Sequence, residues 1–338
     1  MENKLPAVSV IIPMYNVEKY ISETLNSIFG QTLKDFEIIV VNDCSTDNSA
    51  KVVESFIPKF GGRLKLIHTK TNRGCAGIPR NKGLEFSRGK YIYFMDSDDV
   101  ISTGTLELFY QTAEKYHCDA VLGQKYFMST GVGKNFLKQA VLIGDVKDTT
   151  TKMVTEDLAL RVKTWSENVF EVSPGLKFLR RDFLVENEIK FLPIMQEDSL
   201  WTFEIICLAK NIIVLPHAFY IVRRYENSLS TRALNTNFDF GGIFNKVDRI
   251  INGLKHVDEF MGGLEFFQKN PAYRQAVITH IVMQNVGWLT RVYGNVPQFQ
   301  FYEKLKEVLA KDTGDCDVLI SCLISSWIKA AKISTGKK

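Results

Sequence analysis

Apolar and polar positions follow one another along the first 123 residues in a repeating order. Val8–Pro13 is a short apolar run, rich in β-branched residues and closed by proline, which is the pattern of a buried strand. Val17, Ile21, Leu25 and Ile28 then recur at helical spacing and predict an amphipathic helix over 17–29. The pair repeats. A strand at Phe36–Val41 precedes a helix over 47–57, capped by Thr46 or Asp47. A strand at Leu64–His68 precedes a helix over 76–87, and a strand at Tyr91–Met95 precedes a helix over 105–116. Asp119–Gly123 predicts one more strand. Such alternation through short connections implies right-handed crossovers and a mainly parallel sheet flanked by helices.

Beyond this point the period changes. Residues 124–160 mix glycine, threonine and short apolar stretches, which predicts hairpin and loop. Ser173–Gly175 reads as a turn, Lys177–Glu186 as a helix, and the segment from Phe191 as a loop carrying Glu197 and Asp198. Leu200–Ala209 has helical spacing, Ile212–Leu215 reads as a strand, and Tyr220–Tyr225 as another extended piece. From about residue 237 helix-period patterns take over, broken at Gly262-Gly263, Pro271, Gly294 and Gly314. The expected organisation is an α/β domain over 1–235, in two halves (1–123 and 124–235), followed by a helical appendage over 236–338.

Composition narrows the partners. Of 338 residues 45% are hydrophobic and 24% charged, enough for a full core without disulfides. The net charge of +4 is too small to point to nucleic acid, and suits one local site for anionic phosphate. Six scattered cysteines, with no CxxC pair, read as buried thiols in a reducing compartment. The amino terminus runs directly into the first strand, without the pattern of a signal peptide. Val318–Ile328 falls well short of the roughly 20 apolar residues that span a bilayer. These features predict a cytoplasmic chain. The apolar face of Val318–Lys332 favours core packing or a homo-oligomer contact over peripheral contact with the inner face of a membrane.

In parallel sheets ligands gather beyond the carboxyl ends of the strands. The polar clusters of this chain fall there: Tyr15 and Asn16 after the first strand, Asn42–Ser45 after the second, Asp96–Asp98 after the fourth. A nucleotide diphosphate sugar offers a base, a ribose and two phosphates whose charge a divalent cation must offset on departure. Mg²⁺ or Mn²⁺ takes oxygen ligands, typically one or two carboxylates together with the phosphates. Asp96-Ser97-Asp98 suits that requirement on a rigid support; alone, an Asp-rich turn would read equally as surface.

Asp43 is placed to accept a uracil imide N–H, or to close a turn with Asn42. Pro13, Tyr15 and Asn16 put a ring and an amide where a base would stack or bond, although Tyr15 also reads as an ordinary half-buried aromatic. Asn72–Gly74 and Pro79–Gly83 cluster positive charge near a helix start, which suits phosphate. Glu197 and Asp198 supply a candidate base for an acceptor hydroxyl, or a helix cap. Arg223 and Arg224, with Asn227, Ser228 and Ser230, are suited to closing over a diphosphate.

Taken in order, Val8–Asn16, Val41–Asp47, Asn72–Gly74, Pro79–Gly83, Phe94–Asp99 and Gln196–Asp198 resemble the family 2 glycosyltransferases of the GT-A fold, over roughly residues 6–232. The resemblance implies a nucleotide-binding half (1–123) joined to an acceptor half (124–235), and a hexosyltransferase that inverts by direct displacement. It implies that Pro13, Tyr15, Asn16 and Asp43 hold the uridine, with Asn72 and Arg80 near base or diphosphate and Ser45 and Ser97 also among the nucleotide-sugar-binding residues. Asp96 would lie at the ribose and Asp98 would ligate Mn²⁺ or Mg²⁺ through this DxD motif. Asp198 would be the general base, preceded by Glu197, while Arg224 and Ser230 would steady the phosphates. Three departures stand out. Cys44 replaces a usual glycine, the glycine-rich stretch is one residue longer than the commonest pattern with Pro79 where alanine is frequent, and Val222–Glu226 lacks the histidine that many relatives use as a further metal ligand.

The implied partners are a UDP-sugar and a glycan or lipid-linked acceptor, in cell-envelope polysaccharide synthesis. A sugar-phosphate nucleotidyltransferase would need a glycine-rich, lysine-bearing turn after the first strand, where this chain has Met14-Tyr15-Asn16. A non-catalytic binding or scaffold protein of the same fold is the reading favoured by loss of Asp98 or Asp198, and both are present.

Overall fold

A computed structural model describes residues 5–72, 74–131, 133–143, 150–194, 196–225 and 240–293. Ten strands form one sheet: β1 (Val8–Met14), β2 (Phe36–Asn42), β3 (Leu64–His68), β4 (Tyr91–Phe94), β5 (Val100–Ile101), β6 (Ala120–Ser129), β7 (Val141–Ile143), β8 (Lys152–Met153), β9 (Lys177–Arg180) and β10 (Ile212–Arg223). Their main order is β3-β2-β1-β4-β9-β6-β10-β5. The first four pair in parallel, as the alternating pattern predicts. From β9 onward the sheet is mixed: β9 runs antiparallel to β4 and β6, while β6 and β10 are parallel.

Helices cover both faces of the parallel half. Val8, Val10, Ile12 and Met14 of β1 join a core with Ile21, Leu25 and Ile28 of α1 (Ile21–Phe29), Val53 of α2 (Ser49–Phe56) and Phe109 of α4 (Thr105–Tyr116). Ile11 points the other way and meets α3 (Gly77–Phe86), where a Cβ on Gly83 would stand 2.3 Å from the Ile11 side chain. Only glycine lets that helix approach so closely. On the same face Phe94 packs edge-on against Phe191 and Trp201, anchoring α7 (Glu197–Leu208) beside the end of β4.

Several segments differ from their predicted form, among them Glu197 and Asp198, which lie in α7 rather than in a loop. Lys177–Glu186 is not one helix: Lys177–Arg180 is β9, and only Arg181–Glu186 (α6) is helical. β9 fills the gap between β4 and β6, and this pairing outweighs local helical spacing. The two extended pieces at 212–215 and 220–225 are one strand, β10, irregular in register between Leu215 and Ile221. In the stretch predicted as hairpin and loop, β7, β8 and the start of α5 (Leu158–Ser166) are ordered. Asp157 caps α5 by accepting from Ala159 and Leu160.

The chain divides into two compact units, 1–193 with 197–224, and 194–196 with 225–338. In the second, α8 (Phe240–Gly262), α9 (Glu265–Lys269) and α10 (Pro271–Tyr293) bury Leu254, Val257, Met261, Phe267, Val277 and Ile281. Among the described residues no helix is long and apolar enough to cross a membrane. Val318–Lys332 lies outside them.

Candidate active site

The carboxyl ends of β1, β2 and β4 and the first turn of α7 supply the polar side chains of the first unit. At the end of β1, Pro13 is buried in register with Val41, whereas Tyr15 is 43% exposed. Asn16 takes a left-handed backbone (φ 51°) and ties the β1 end to the β2 loop. Its N–H donates to Ser45 Oγ at 3.0 Å and its Oδ1 accepts from Thr46 N at 2.8 Å. Cys44 is also left-handed (φ 62°).

Asp43 is buried at the end of β2. Its Oδ1 accepts from Thr69 Oγ1 at 2.7 Å, and its carbonyl accepts from Asn72 Nδ2 at 3.1 Å. The sheet thus brings Asn16 to Ser45 and Asp43 to Asn72 across the three segments that follow β1, β2 and β3.

The densest charge lies at the end of β4. Arg80 on α3 is 3% exposed; its Nη2 donates to Asp96 Oδ1 at 2.7 Å and its Nη1 to Asp198 Oδ1 at 3.0 Å. Phe191 lies under the guanidinium at 5.0 Å from the ring centroid, while the buried Nε has no protein partner. Asp198 is in the first turn of α7 beside Glu197, where the helix dipole favours carboxylates. Burial raises the Asp198 carboxyl above its ordinary range, and Asp96 adds to this; Arg80 and Lys177 pull it back without cancelling the rise. A third of the Asp198 side chain (33%) is still exposed, so it is accessible yet desolvated by the protein around it.

Lys177 on β9 is a contributor that sequence patterns missed. It is fully buried, its Nζ donates to the Glu171 and Ser173 carbonyls at 2.7 and 3.0 Å, and burial depresses it to about 7. Its only sequence signal is a lysine between apolar neighbours in a segment of misread period. Sequence patterns do not single out Tyr220 either: its hydroxyl accepts from Asp96 N at 3.1 Å and acts on the Asp99 carboxyl. Burial, followed by Asp98 and Asp96, raises Asp99 well above the ordinary range.

The two arginines at the end of β10 separate. Arg223 is buried and pairs in register with Ser129; Arg224 is exposed, its N–H donating to Ser129 O at 2.8 Å. Ser230 lies outside the described residues. Ser97 is buried in the loop between Asp96 and Asp98.

For a divalent cation the donor set is hard oxygen, with Asp96, Asp98 and Asp99 close enough for their charges to interact. Among the described residues no group of three or more His, Cys, Asp or Glu is placed to cage a metal alone. Such a set fits Mg²⁺ or Mn²⁺ shared between a carboxylate and bound phosphates, the usual mode of those ions.

The sequence model of glycosyl transferase family 2 matches residues 9–186. The chain belongs to this family. It is 30% identical over 220 residues to the poly(ribitol-phosphate) beta-N-acetylglucosaminyltransferase TarP of Staphylococcus aureus, covering 64% of this chain and 62% of that protein. It is 32% identical over 237 residues to TarS of the same species, covering 69% of this chain and 38% of that protein. This family member thus spans about two fifths to three fifths of those relatives. The crystal structure of S. aureus TarS 1–349 in complex with UDP-GlcNAc superposes with a TM-score of 0.58 at 23% identity, over 97% of this chain and 92% of that one. That likeness establishes the GT-A fold, of which the mixed sheet and flanking helices are this family member's version.

Proposed function

We propose that this family 2 protein transfers a hexose from a UDP-sugar to a hydroxyl of a glycan acceptor, with inversion at the anomeric carbon, in cell-envelope polysaccharide synthesis. The observation that carries the reading is the meeting of Asp96 and Asp198 on one buried arginine, from strand ends and a helix over a hundred residues apart in sequence. The names of TarP and TarS, and the UDP-GlcNAc in the TarS structure, support a nucleotide-sugar donor and a polymeric acceptor.

In this reading Asp43 accepts the uracil imide N–H, with Pro13, Tyr15, Asn16, Ser45 and Asn72 shaping the uridine site. Asp96 and Ser97 would lie at the ribose, and Arg224 would steady the diphosphate. Asp98 would hold Mn²⁺ or Mg²⁺, which supplies charge neutralisation for the departing diphosphate. Asp198 takes the proton of the acceptor hydroxyl as its oxygen bonds to the anomeric carbon and the bond to the UDP oxygen breaks. Its raised carboxyl pKa makes it a stronger proton acceptor than an ordinary aspartate. Arg80 orients Asp198, and Glu197 adds negative charge beside Arg80.

Calorimetric titration of UDP with and without MnCl₂ tests the donor side. Mn²⁺ is expected to tighten UDP binding to the wild-type chain and to have no effect on Asp98→Ala. Equal tightening in that variant removes Asp98 as ligand. On the acceptor side, Asp198→Asn should keep UDP binding and lose transfer by about 100-fold or more. Full turnover in that variant removes the base.

A further inference from the structure

The loop that carries Asp98 is held from behind by two residues outside the site. Thr24 on α1 is fully buried, and its hydroxyl lies 3.0 Å from the Ser97 carbonyl and 2.7 Å from the Asp99 carbonyl. Arg223 at the end of β10 donates through Nε to the intervening Asp98 carbonyl at 2.9 Å. Its main-chain N–H donates to Asp99 Oδ1 at 2.8 Å. Three consecutive carbonyls, those of Ser97, Asp98 and Asp99, are therefore engaged by side chains of a distant helix and a distant strand.

This arrangement has a direct geometric consequence. A peptide unit is planar, so fixing the carbonyls on both sides of Asp98 fixes its backbone torsions and the direction of its Cα–Cβ bond. The carboxylate is left only its own rotamers. Arg223 is in turn locked. Its side chain is fully buried, Nη1 donates to the Gly131 carbonyl at 3.0 Å, and the guanidinium lies 3.8 Å from the Phe136 ring centroid and 4.9 Å from that of Tyr20. Its Nη2 pairs with Glu23 Oε2 at 3.0 Å. Glu23 offsets the guanidinium charge, so the clamp adds little repulsion toward a cation at Asp98.

We propose that Thr24 and Arg223 are positioning residues that pre-orient Asp98 for a divalent cation, with Glu23 balancing the arginine's charge. The inference rests on the reading of Asp98 as metal ligand. Groups that orient a ligand from outside the coordination sphere commonly govern affinity by 10- to 100-fold.

The test uses the full chain, with UDP and MnCl₂ as probes. Mn²⁺ affinity at saturating UDP is measured by calorimetry, alongside UDP affinity without metal and the Tm. Thr24→Val should weaken Mn²⁺ binding about tenfold while leaving metal-free UDP affinity unchanged, and Thr24→Ser should restore it. Arg223→Lys should weaken Mn²⁺ in the same way; should it fail to fold, the two Thr24 variants decide. Wild-type Mn²⁺ affinity in Thr24→Val overturns the proposal, as does an equal loss of metal-free UDP binding or a failure of serine to rescue. If Asp98→Ala abolishes the Mn²⁺ effect while Thr24→Val does not, the clamp alone is wrong. If Asp98→Ala responds to Mn²⁺ like the wild type, the metal assignment beneath it has failed as well.

Discussion

Arg80 Nη1 lies 3.0 Å from Asp198 Oδ1, and the same guanidinium holds Asp96 with its other terminal nitrogen at 2.7 Å. One buried cation thus joins the carboxylate after β4 to the carboxylate that opens α7. Removing a partner from such a buried set leaves charge uncompensated, so the effects should exceed those of a surface ion pair.

The first expectation concerns pH. Burial raises the Asp198 carboxyl and Arg80 is the foremost influence lowering it. In Arg80→Met that restraint is gone, and the folded-state pKa rises further. A base works only when deprotonated, so the acid limb of the kcat/KM profile for transfer from a UDP-sugar should move to higher pH. A limb that stays in place, or moves to lower pH, contradicts the coupling.

A second expectation concerns the turn before β9. A Cβ on Gly175 would fall 2.4 Å from Tyr220 Cζ and 2.7 Å from its hydroxyl oxygen. That ring cannot yield freely, because its hydroxyl accepts from Asp96 N and it is fully buried. Gly175→Ala should destabilise the fold by about 1–3 kcal/mol through overpacking. It should also weaken UDP binding by displacing Asp96. Urea unfolding and UDP titration check both, and a variant with wild-type stability would show that the turn can shift without cost.

A third expectation follows from Lys177. Burial holds its folded pKa at about 7, below the ordinary 10.5. Between those values the unfolded chain binds more protons at this residue than the folded chain, so its contribution to stability rises with pH. The slope approaches about 1.4 kcal/mol per pH unit well inside that window. Urea unfolding of wild type and Lys177→Met at pH 7, 8 and 9 should show the wild type gaining on the variant as pH rises. Parallel curves would mean that Lys177 keeps an ordinary pKa in the fold.

Much of the first half was legible in the chain itself. β-branched runs such as Val8–Ile12 and Phe36–Val41 are too apolar to lie anywhere but inside a covered sheet, and their spacing from helical segments leaves parallel order as the economical solution. The positions of Asp43, Asp96 and Asp98 just beyond strand ends followed from the same local reasoning. The second half was less legible. Lys177–Arg180 carries a helical spacing, and what makes it a strand is the gap between β4 and β6. The sequence pattern of β10 reads as two pieces because Pro216 interrupts it, and the register is irregular over the same stretch.

Local patterning by itself determined the parallel half, the family, and which carboxylates stand at the sheet edge, because a period and a neighbouring turn are short-range properties. Only tertiary structure decided which of those groups meet. The Arg80–Asp198 pair spans 118 residues and the Arg223–Glu23 pair 200. It also decided that Arg223 turns inward to hold the Asp98 loop while Arg224 stays exposed. Adjacent arginines carry the same side chain, and only the facing of the strand, set by its pairing with β6, tells them apart.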